Sequence, residues 1–392
     1  MASKDEAGSQ PLERPCKKCN KQEATQISRT EAVCTDCFTQ YIYSKCVRQI
    51  GIIGKETQPP QGAPQGLSRR YVLGLSLGTS STVLLHIVNG YVSAILSKGR
   101  RSPFDLDVIC VDTSISSDAG PNTLLEDTLA TYRQRYPGLN IESIPLTSVL
   151  GIPSIDWSSL PPLNTSLSPS QQLHDLFSRL PSATSRADIL RLFIRHLLIH
   201  TALARDAQAA LFGHSTTALG ALTLSETAKG RGFSLPWQIN DGPLPVPTYP
   251  TSSSSPTKSI RIHHPLRELY AKELSTYVTL TSPPLTEIIP PPEVVDKATA
   301  AVVSHRDLSI DEVMARYFVD VEENYPSIVA NVVRTTAKLD RIESGSGRCG
   351  VCGMTLDEDG DDRWRGDIGD DVEEREGGGG RLCYGCERSV HG

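Results

Sequence analysis

With 392 residues, 38% of them hydrophobic, and a formal net charge of -6, the chain is long enough for two or three domains and apolar enough to fill a sizeable core. No apolar run approaches the roughly 18 residues of a membrane span and the opening MASKDEAGSQPLERP is polar, which argues against membrane and secreted classes and for a cytoplasmic or nuclear chain, the cytoplasm being the expected location. The ten cysteines then read as metal ligands before disulfides. The net charge hides an asymmetry: ten Lys/Arg against four Asp/Glu from Arg14 to Arg70, a local +6, and five against twelve from Cys349 to the end, a local -7. A basic module of that kind suits a polyanion and an acidic tail repels one, although ordinary solvated surface accounts for either.

In chain order, residues 1–13 read as disordered. Cys16-Lys17-Lys18-Cys19 and Cys34-Thr35-Asp36-Cys37 then frame a segment, 14–56, that is too small to bury a core. Two such knuckles turn four thiolates toward one point, the donor set of a structural zinc site. A redox dithiol or free surface thiols are the alternatives. Cys46, on the helical stretch that follows, packs rather than ligates. A Gly/Pro/Gln linker, 57–68, leads to a central domain, 69–342. There an apolar run, Tyr71 to Leu75, breaks into Ser76-Leu77-Gly78-Thr79-Ser80-Ser81 and resumes with helical spacing from Thr82 to Val88. Strand, small-residue loop and helix in that order form an anion site from loop amides and the positive helix end. Ser76, Gly78, Ser80 and Ser81 are its nucleotide-loop candidates, with a merely structural turn as the competing reading.

Leu106–Val111 reads as a second buried strand ending at Asp112, Leu124–Tyr136 as an amphipathic helix and Asn140–Leu146 as a third strand. Such alternation predicts an α/β fold with a parallel sheet, helices on both faces, and one ligand mouth at Ser76–Ser81 and Asp112. A Ser/Pro-rich stretch near 152–170 reads as an extended insertion. A long helix from near Arg186 carries Arg191 and Arg195 one turn apart, suited to phosphate contacts or, more commonly, to an exposed basic face. A buried strand at Ala209–His214, a helix closing at Arg231-Gly232, a flexible insertion at 243–258, a strand at Ser259–Leu266 and helices over Arg267–Val278 and within Leu308–Leu339 complete the domain. His263 and His264, as strand neighbours, point to opposite faces and do not readily share a metal. The C-terminal part, 343–392, repeats the opening device: Cys349-Gly350-Val351-Cys352 and Cys383-Tyr384-Gly385-Cys386 around an acidic, glycine-rich insertion. Gly350 or Gly353 suits the tight turn of a second zinc knuckle.

The loop resembles that of the PP-loop ATP pyrophosphatases, which adenylate a carbonyl oxygen. Against their Ser-Gly-Gly-x-Asp-Ser pattern, Ser76, Gly78 and Ser81 fit, whereas Leu77 replaces the first glycine and Ser80 the aspartate. Gly213, His214, Arg231 and Gly232 match the tRNA-modifying branch, but Ser215 and Ala218 stand where an asparagine and a second acidic residue belong. The leucine is expected to cost the loop its left-handed geometry, and the lost carboxylate a magnesium or orienting group. With knuckles at both ends, the chain from Cys16 to Cys386 is similar to the cytoplasmic tRNA 2-thiolation protein 2 family. The resemblance implies a heterodimer with a catalytic paralogue, thiolation of the wobble uridine of certain tRNAs, and sulfur from a thiocarboxylated ubiquitin-related modifier.

Thiolation of this type calls for a pair of central cysteines, yet outside the knuckles only Cys46 and Cys110 remain. Cys110 lies within a buried strand, where a small hydrophobe is the expected role. The sequence therefore predicts a PP-loop-like α/β domain with a four-cysteine zinc module at each end: Cys16, Cys19, Cys34 and Cys37, then Cys349, Cys352, Cys383 and Cys386. It predicts two zinc ions, no catalytic residue, ATP left open, and a non-catalytic or weakly catalytic subunit that supports a catalytic paralogue and binds tRNA. The alternatives are an active adenylating enzyme with an atypical loop, and a zinc-ribbon interaction scaffold.

Overall fold

The computed structural model describes residues 12–58, 68–115, 122–249, 258–291, 308–343, 347–357 and 382–392. Nearly all of the expected disordered start, most of the linker, the end of the second Ser/Pro-rich insertion and the acidic insertion lie outside the described residues. Four short strands open the chain, β1 (Leu12–Pro15), β2 (Glu23–Ala24), β3 (Gln26–Ser28) and β4 (Glu31–Val33), paired as two antiparallel ribbons. Helix α1 (Thr35–Glu56) follows.

The central sheet consists of β5 (Arg70–Gly74), β6 (Asp105–Asp112), β7 (Asn140–Pro145), β8 (Ala209–Leu211), β9 (Gly242–Val246) and β10 (Lys258–His263), in spatial order β7-β6-β5-β8-β10-β9. Pairs from β7 to β10 are parallel, and β9 is antiparallel to β10. The chain winds outward from β5 to β7, then returns to place β8 on the other side of β5. The carboxyl ends of β5 and β8 are thus the topological switch point, where open sheets of this type form a crevice.

Strand alternation assigns the inward side chains to two cores. Tyr71, Leu73, Val108, Cys110, Ala209 and Leu211 face one cluster, and Val72, Ile109, Ala210, Ile260 and Ile262 face the other. Over the first lie α1, α2 (Thr79–Leu96), α3 (Thr123–Arg135) and α8 (Ala271–Leu280); over the second lie α4 (Pro169–Arg179) and α5 (Ala183–Ala204). Helices α6 (Thr216–Ala228) and α7 (Leu235–Ile239) run on from β8, and a hairpin of α9 (Ile310–Asn324) and α10 (Pro326–Thr336) packs on α6 through Phe318 and Val329. The last helix is α11 (Tyr384–His391).

Three local readings change. Ile152, Ile155 and Leu160 of the Ser/Pro-rich stretch are buried in the second core and Ser168 caps α4 with a capping box, so spaced apolar residues outweigh the loop-like composition. Pro243 and Pro245, expected in a flexible insertion, belong to β9, because a sheet edge tolerates a missing N–H. Helix α2 is long and apolar enough to cross a membrane, against the expectation from composition; in the fold Val83, Leu84, Leu85, Ile87 and Val88 are buried in the first core.

At the switch point the chain is packed backbone to backbone. A Cβ on Gly213, just after β8, would lie 2.8 Å from Ser81 Cα, a distance that neither backbone can relieve by turning a side chain. Gly213→Ala is expected to cost about 1–3 kcal/mol, read as a lowered midpoint in thermal or denaturant unfolding; an unchanged midpoint would show that the loop and β8 can separate freely.

Candidate functional site

Loop 76–81 connects β5 to α2 at this switch point. The Ser81 hydroxyl donates to Gly78 O at 3.1 Å and accepts from the Ser76 N–H at 3.2 Å. The Thr82 hydroxyl donates to the same carbonyl at 2.9 Å. Two of these hydroxyls thus hold the shape of the turn, while among the described residues no side chain caps the first-turn amides of α2. Leu77 adopts φ +61 and is buried, 7% exposed as a residue. Contrary to expectation, the left-handed turn survives the loss of glycine: its cost of about 1–2 kcal/mol is offset by burying a leucine, worth about 1.5–3 kcal/mol.

The loop borders a cavity of about 750 Å³. Ser76–Ser81, Cys110, Asp112, Arg191, Arg195, Gly213, His214 and Ala218 all reach it, so the residues singled out from the sequence converge with others that were read differently. Asp112 is held by the Ser114 hydroxyl at 2.7 Å and the Asn122 amide at 3.2 Å. Burial, with the nearby Asp112 and Glu126 carboxylates, pushes the Cys110 thiol up to about 12. His214 is pushed down to about 3 by burial and by His264 and the two arginines, and its Nδ1 has no partner among the described residues. His264 pairs with Asp241 through Nδ1 at 2.9 Å, and His263 lies 3.9 Å from the same carboxylate. Strand alternation was expected to separate these histidines, but β10 ends at His263.

Arg191 and Arg195 are not an exposed basic face. Both are partly buried on the cavity wall. Helix α5 is apolar on almost every side, with Ile189, Leu190, Leu192, Phe193, Leu197, Leu198 and Ile199 all buried; that near-continuous apolar run is the signal that its charges must lie inside as well. Arg195 donates to Trp237 O at 3.0 Å and has no carboxylate partner among the described residues. Burial, reinforced by Arg191 and Arg341, pushes it down to about 10.

Arg191, by contrast, belongs to a buried ion cluster that the sequence did not disclose. It meets Glu226 at 2.6 Å and Asp188 at 3.3 Å. Lys229 Nζ lies 2.9 Å from Asp188, 2.7 Å from Glu226 and 2.9 Å from Asp311. Arg231, fully buried, donates to both oxygens of Asp188 and lies 3.3 Å from Glu226. Three cations thus face three carboxylates. Burial would raise Glu226 and Asp188, but Arg191, Arg231 and Lys229 outweigh it, holding Glu226 down at about 2 and Asp188 well below the usual carboxylate range.

The eight knuckle cysteines fall into two compact sets. Within each of Cys16/Cys19/Cys34/Cys37 and Cys349/Cys352/Cys383/Cys386, all sulfurs lie within 4.8 Å of one another. The Cys19–Cys34 and Cys352–Cys383 separations are 3.8 and 3.9 Å, far beyond an S–S bond. Both sets are built alike. The residue after the first knuckle is left-handed, Asn20 at φ +53 and Gly353 at φ +70, and its N–H donates to the first cysteine's carbonyl at 2.8 and 2.9 Å. The second knuckle opens a helix, with Cys34 and Cys383 at the N-caps of α1 and α11; the positive helix end favours thiolates there. Both sets can hold a metal ion. Neither is a loose appendage: Cys16 and Cys34 belong to the first core, and all four C-terminal cysteines to the second. Cys46 is buried in the first core, as expected.

A family model for cytoplasmic tRNA 2-thiolation protein 2 matches residues 309–376. The protein of that name from Phaeosphaeria nodorum is 36% identical over 386 residues, covering 96% of this chain and 94% of its own length. The chain belongs to the cytoplasmic tRNA 2-thiolation protein 2 family. Its counterpart from Sclerotinia sclerotiorum is 38% identical over 333 residues, 82% of each chain. Among solved structures, the U34-tRNA thiolase NcsA from Methanococcus maripaludis, with its 4Fe–4S cluster, superposes with a TM-score of 0.54 at 16% identity, covering 86% of this chain and 92% of that one. The chain thus shares the parallel-sheet fold of that thiolase.

In this family member the buried ion cluster is a stability element with a definite pH signature. Folded-state values below the unfolded ones mean that its carboxylates stabilise the fold at neutral pH and lose that contribution as pH falls below about 4.5 toward the folded value near 2. Asp188→Asn, which leaves Arg231 short of its partner, is expected to cost about 3–5 kcal/mol and to make the acid limb of the stability–pH curve shallower. A variant as stable as wild type at pH 7 would contradict this.

Proposed function

We propose that this chain is the non-catalytic subunit of a heterodimeric complex that 2-thiolates the wobble uridine of cytoplasmic tRNAs, taking sulfur from a thiocarboxylated ubiquitin-related modifier while a paralogue carries the chemistry. The observation that carries this reading is the distribution of thiols. Eight of the ten cysteines form the two quartets, Cys46 is in the core, and Cys110 alone reaches the cavity. A persulfide relay needs a second thiol, and an iron–sulfur cluster needs three or four. A single buried thiol pushed up to about 12 is also a poor nucleophile at neutral pH.

The altered loop is consistent with the same role. Ser76, Gly78, Ser80 and Ser81 retain an uncapped helix start, and Arg195 is an unneutralised cation on the same cavity wall, which suits an anion such as the phosphates of ATP, while the loop itself offers no carboxylate for its magnesium and Asp112 is the acidic group nearest in the fold to that role. The local excess of Lys and Arg in the N-terminal module supports direct tRNA binding; one groove on it is lined by Lys18, Lys45 and Arg48 together with Asp36, the last two cations being paired with Glu268. For the metal, a tetrahedral ion with sulfurs at about 2.3 Å spaces them about 3.8 Å apart, close to the Cys19–Cys34 and Cys352–Cys383 separations and within the 4.8 Å that bounds each set, whereas a four-iron cluster holds each thiolate on a different iron and farther apart. Zinc therefore fits both sets.

Metal analysis of the purified chain is expected to give about two zinc ions, and fewer than one would refute the assignment. Because the C-terminal quartet is part of the second core, Cys352→Ser should destabilise the central domain and not just the terminal segment. The chain alone should retard tRNA in a salt-dependent way yet thiolate nothing until the catalytic paralogue is added. Thiolation by the chain alone at the rate of the complex would overturn the proposal.

A further inference from the structure

Cations collect at the amino-terminal ends of the parallel strands. Lys55 lies in the last turn of α1, Arg69 just before β5, Lys98, Arg100 and Arg101 between α2 and β6, and Lys258 at the start of β10. The fold makes these segments neighbours. The Arg69 guanidinium donates to Gly54 O at 2.6 Å, and the Asp105 N–H, at the start of β6, donates to Arg69 O at 2.6 Å. In the sheet register Tyr71 of β5 and Arg261 of β10 both pair with Ala209 of β8, so Lys258 extends from the same end. Other cations here are tied internally: Arg70 and Arg205 share Asp107 at 3.8 and 3.4 Å, and Arg261 meets Glu56 at 3.0 Å. The six named first have no carboxylate partner among the described residues, and Asp105 and Asp206 stand against them, which leaves a local +4. The stretches that join α1 to β5 and β9 to β10, 59–67 and 250–257, contain no charged residue that could neutralise them.

Three of these cations sit on a fixed backbone. Helix α2 ends in a Schellman turn: Gly99 adopts φ +68, its N–H donates to Leu96 O at 2.9 Å, and the Arg100 N–H donates to Ile95 O at 3.4 Å. Beyond the turn the Ser102 hydroxyl donates to Phe104 O at 2.6 Å, and Phe104 is buried in the first core with its ring centroid 4.5 Å from that of Tyr71. Between these two anchors Lys98, Arg100 and Arg101 are all exposed. The negative end of a helix favours a cation, which accounts for one basic residue after α2 but not for six on four segments. Unpaired cations held in place on one surface suit a polyanion, because they meet its charges without an ordering step.

We propose that the amino-terminal end of the sheet, with Lys98, Arg100 and Arg101 as its main contacts, holds the phosphate backbone of tRNA, so that the chain meets RNA on the side away from its altered nucleotide loop. This rests on the tRNA-binding reading above and gives it a location. The test titrates the full-length chain against a labelled tRNA transcript with uridine at the wobble position, by fluorescence anisotropy over a series of salt concentrations. Lys98→Gln, Arg100→Gln and Arg101→Gln combined should weaken binding about tenfold or more and lower the slope of log affinity against log salt by about two to three, with the melting temperature and metal content unchanged. A transcript with another wobble base should lose affinity by the same factor, since phosphate contacts carry no sequence information. Arg316→Gln, Arg334→Gln and Lys338→Gln combined, which remove three exposed cations from the α9–α10 hairpin and its flank, should leave affinity within about twofold, because separated surface charges are screened. Lys55→Gln with Lys258→Gln, on two other segments of the same end, should weaken binding in the same direction and serves if the triple variant folds poorly. Wild-type binding that the variants at the sheet end leave unchanged, or that the hairpin variants weaken equally, would overturn the surface while leaving tRNA binding intact. No binding by wild type would overturn both. Binding to phosphatidylserine vesicles that the triple variant abolishes while tRNA binding persists would assign these cations to a membrane and overturn the inference.

Discussion

The arrangement depends on the buried cluster of Arg231, Lys229 and Arg191 with Asp188, Glu226 and Asp311. These six groups come from α5, the end of α6 and the start of α9, and the Ser389 hydroxyl donates to Asp188 at 2.8 Å from α11. Each charge is intelligible only because the others are present, since an isolated buried carboxylate or guanidinium would cost several kcal/mol. The cluster therefore sets the mutual position of the helices that form one wall of the cavity, carry the hairpin and close the C-terminal quartet. Gly385 shows how tightly the last of these fits: a Cβ there would lie 2.5 Å from the Arg231 side chain.

The loop that carries the family resemblance is preserved in shape more than in chemistry. Leu77 keeps a left-handed backbone, Gly213 keeps β8 against Ser81, and the Ser81 hydroxyl ties the turn together. The groups that differ from the PP-loop pattern are those that would act on a ligand: Ser80 in place of a carboxylate, and Ser215 and Ala218 beyond β8. Ser215 now serves as the N-cap of α6, accepting from the Ala218 N–H at 3.1 Å, a structural task for a residue at the mouth of the cavity.

Much of this was legible in the amino-acid sequence, for physical reasons that also explain what was not. Apolar runs of strand length followed by helical spacing locate β5, β6, α3 and the start of α2 to within a few residues, because both periodicities are local, whereas α2 runs on to Leu96, past the expected Val88. The cysteine pairs are legible because metal ligation constrains spacing. Arg191 and Arg195 were misread because a helix surface and a cavity wall look alike in one dimension, and only the apolar residues all round α5 hint at the difference. The ion cluster joins positions as far apart as 188 and 389, a pairing that no local pattern encodes. Composition misled at Pro243 and Pro245, where a sheet edge accepts what a central strand would not, and at residues 152–160, where three apolar side chains decide the burial of a Ser/Pro-rich segment.

The placement of the C-terminal quartet bears on how the molecule is made. Half of its cysteines, Cys383 and Cys386, follow every strand of the sheet in sequence, yet their side chains complete the apolar cluster that covers one whole face of that sheet. The face bearing the N-terminal quartet is assembled from segments ending just past α8, so it can close while synthesis continues. The opposite face has to wait for residue 386 to emerge, leaving the side of α5 on which α11 packs uncovered on the nascent polypeptide. A product truncated before residue 383 would have one finished face and one open face, a form suited to chaperone retention and degradation rather than to partial function.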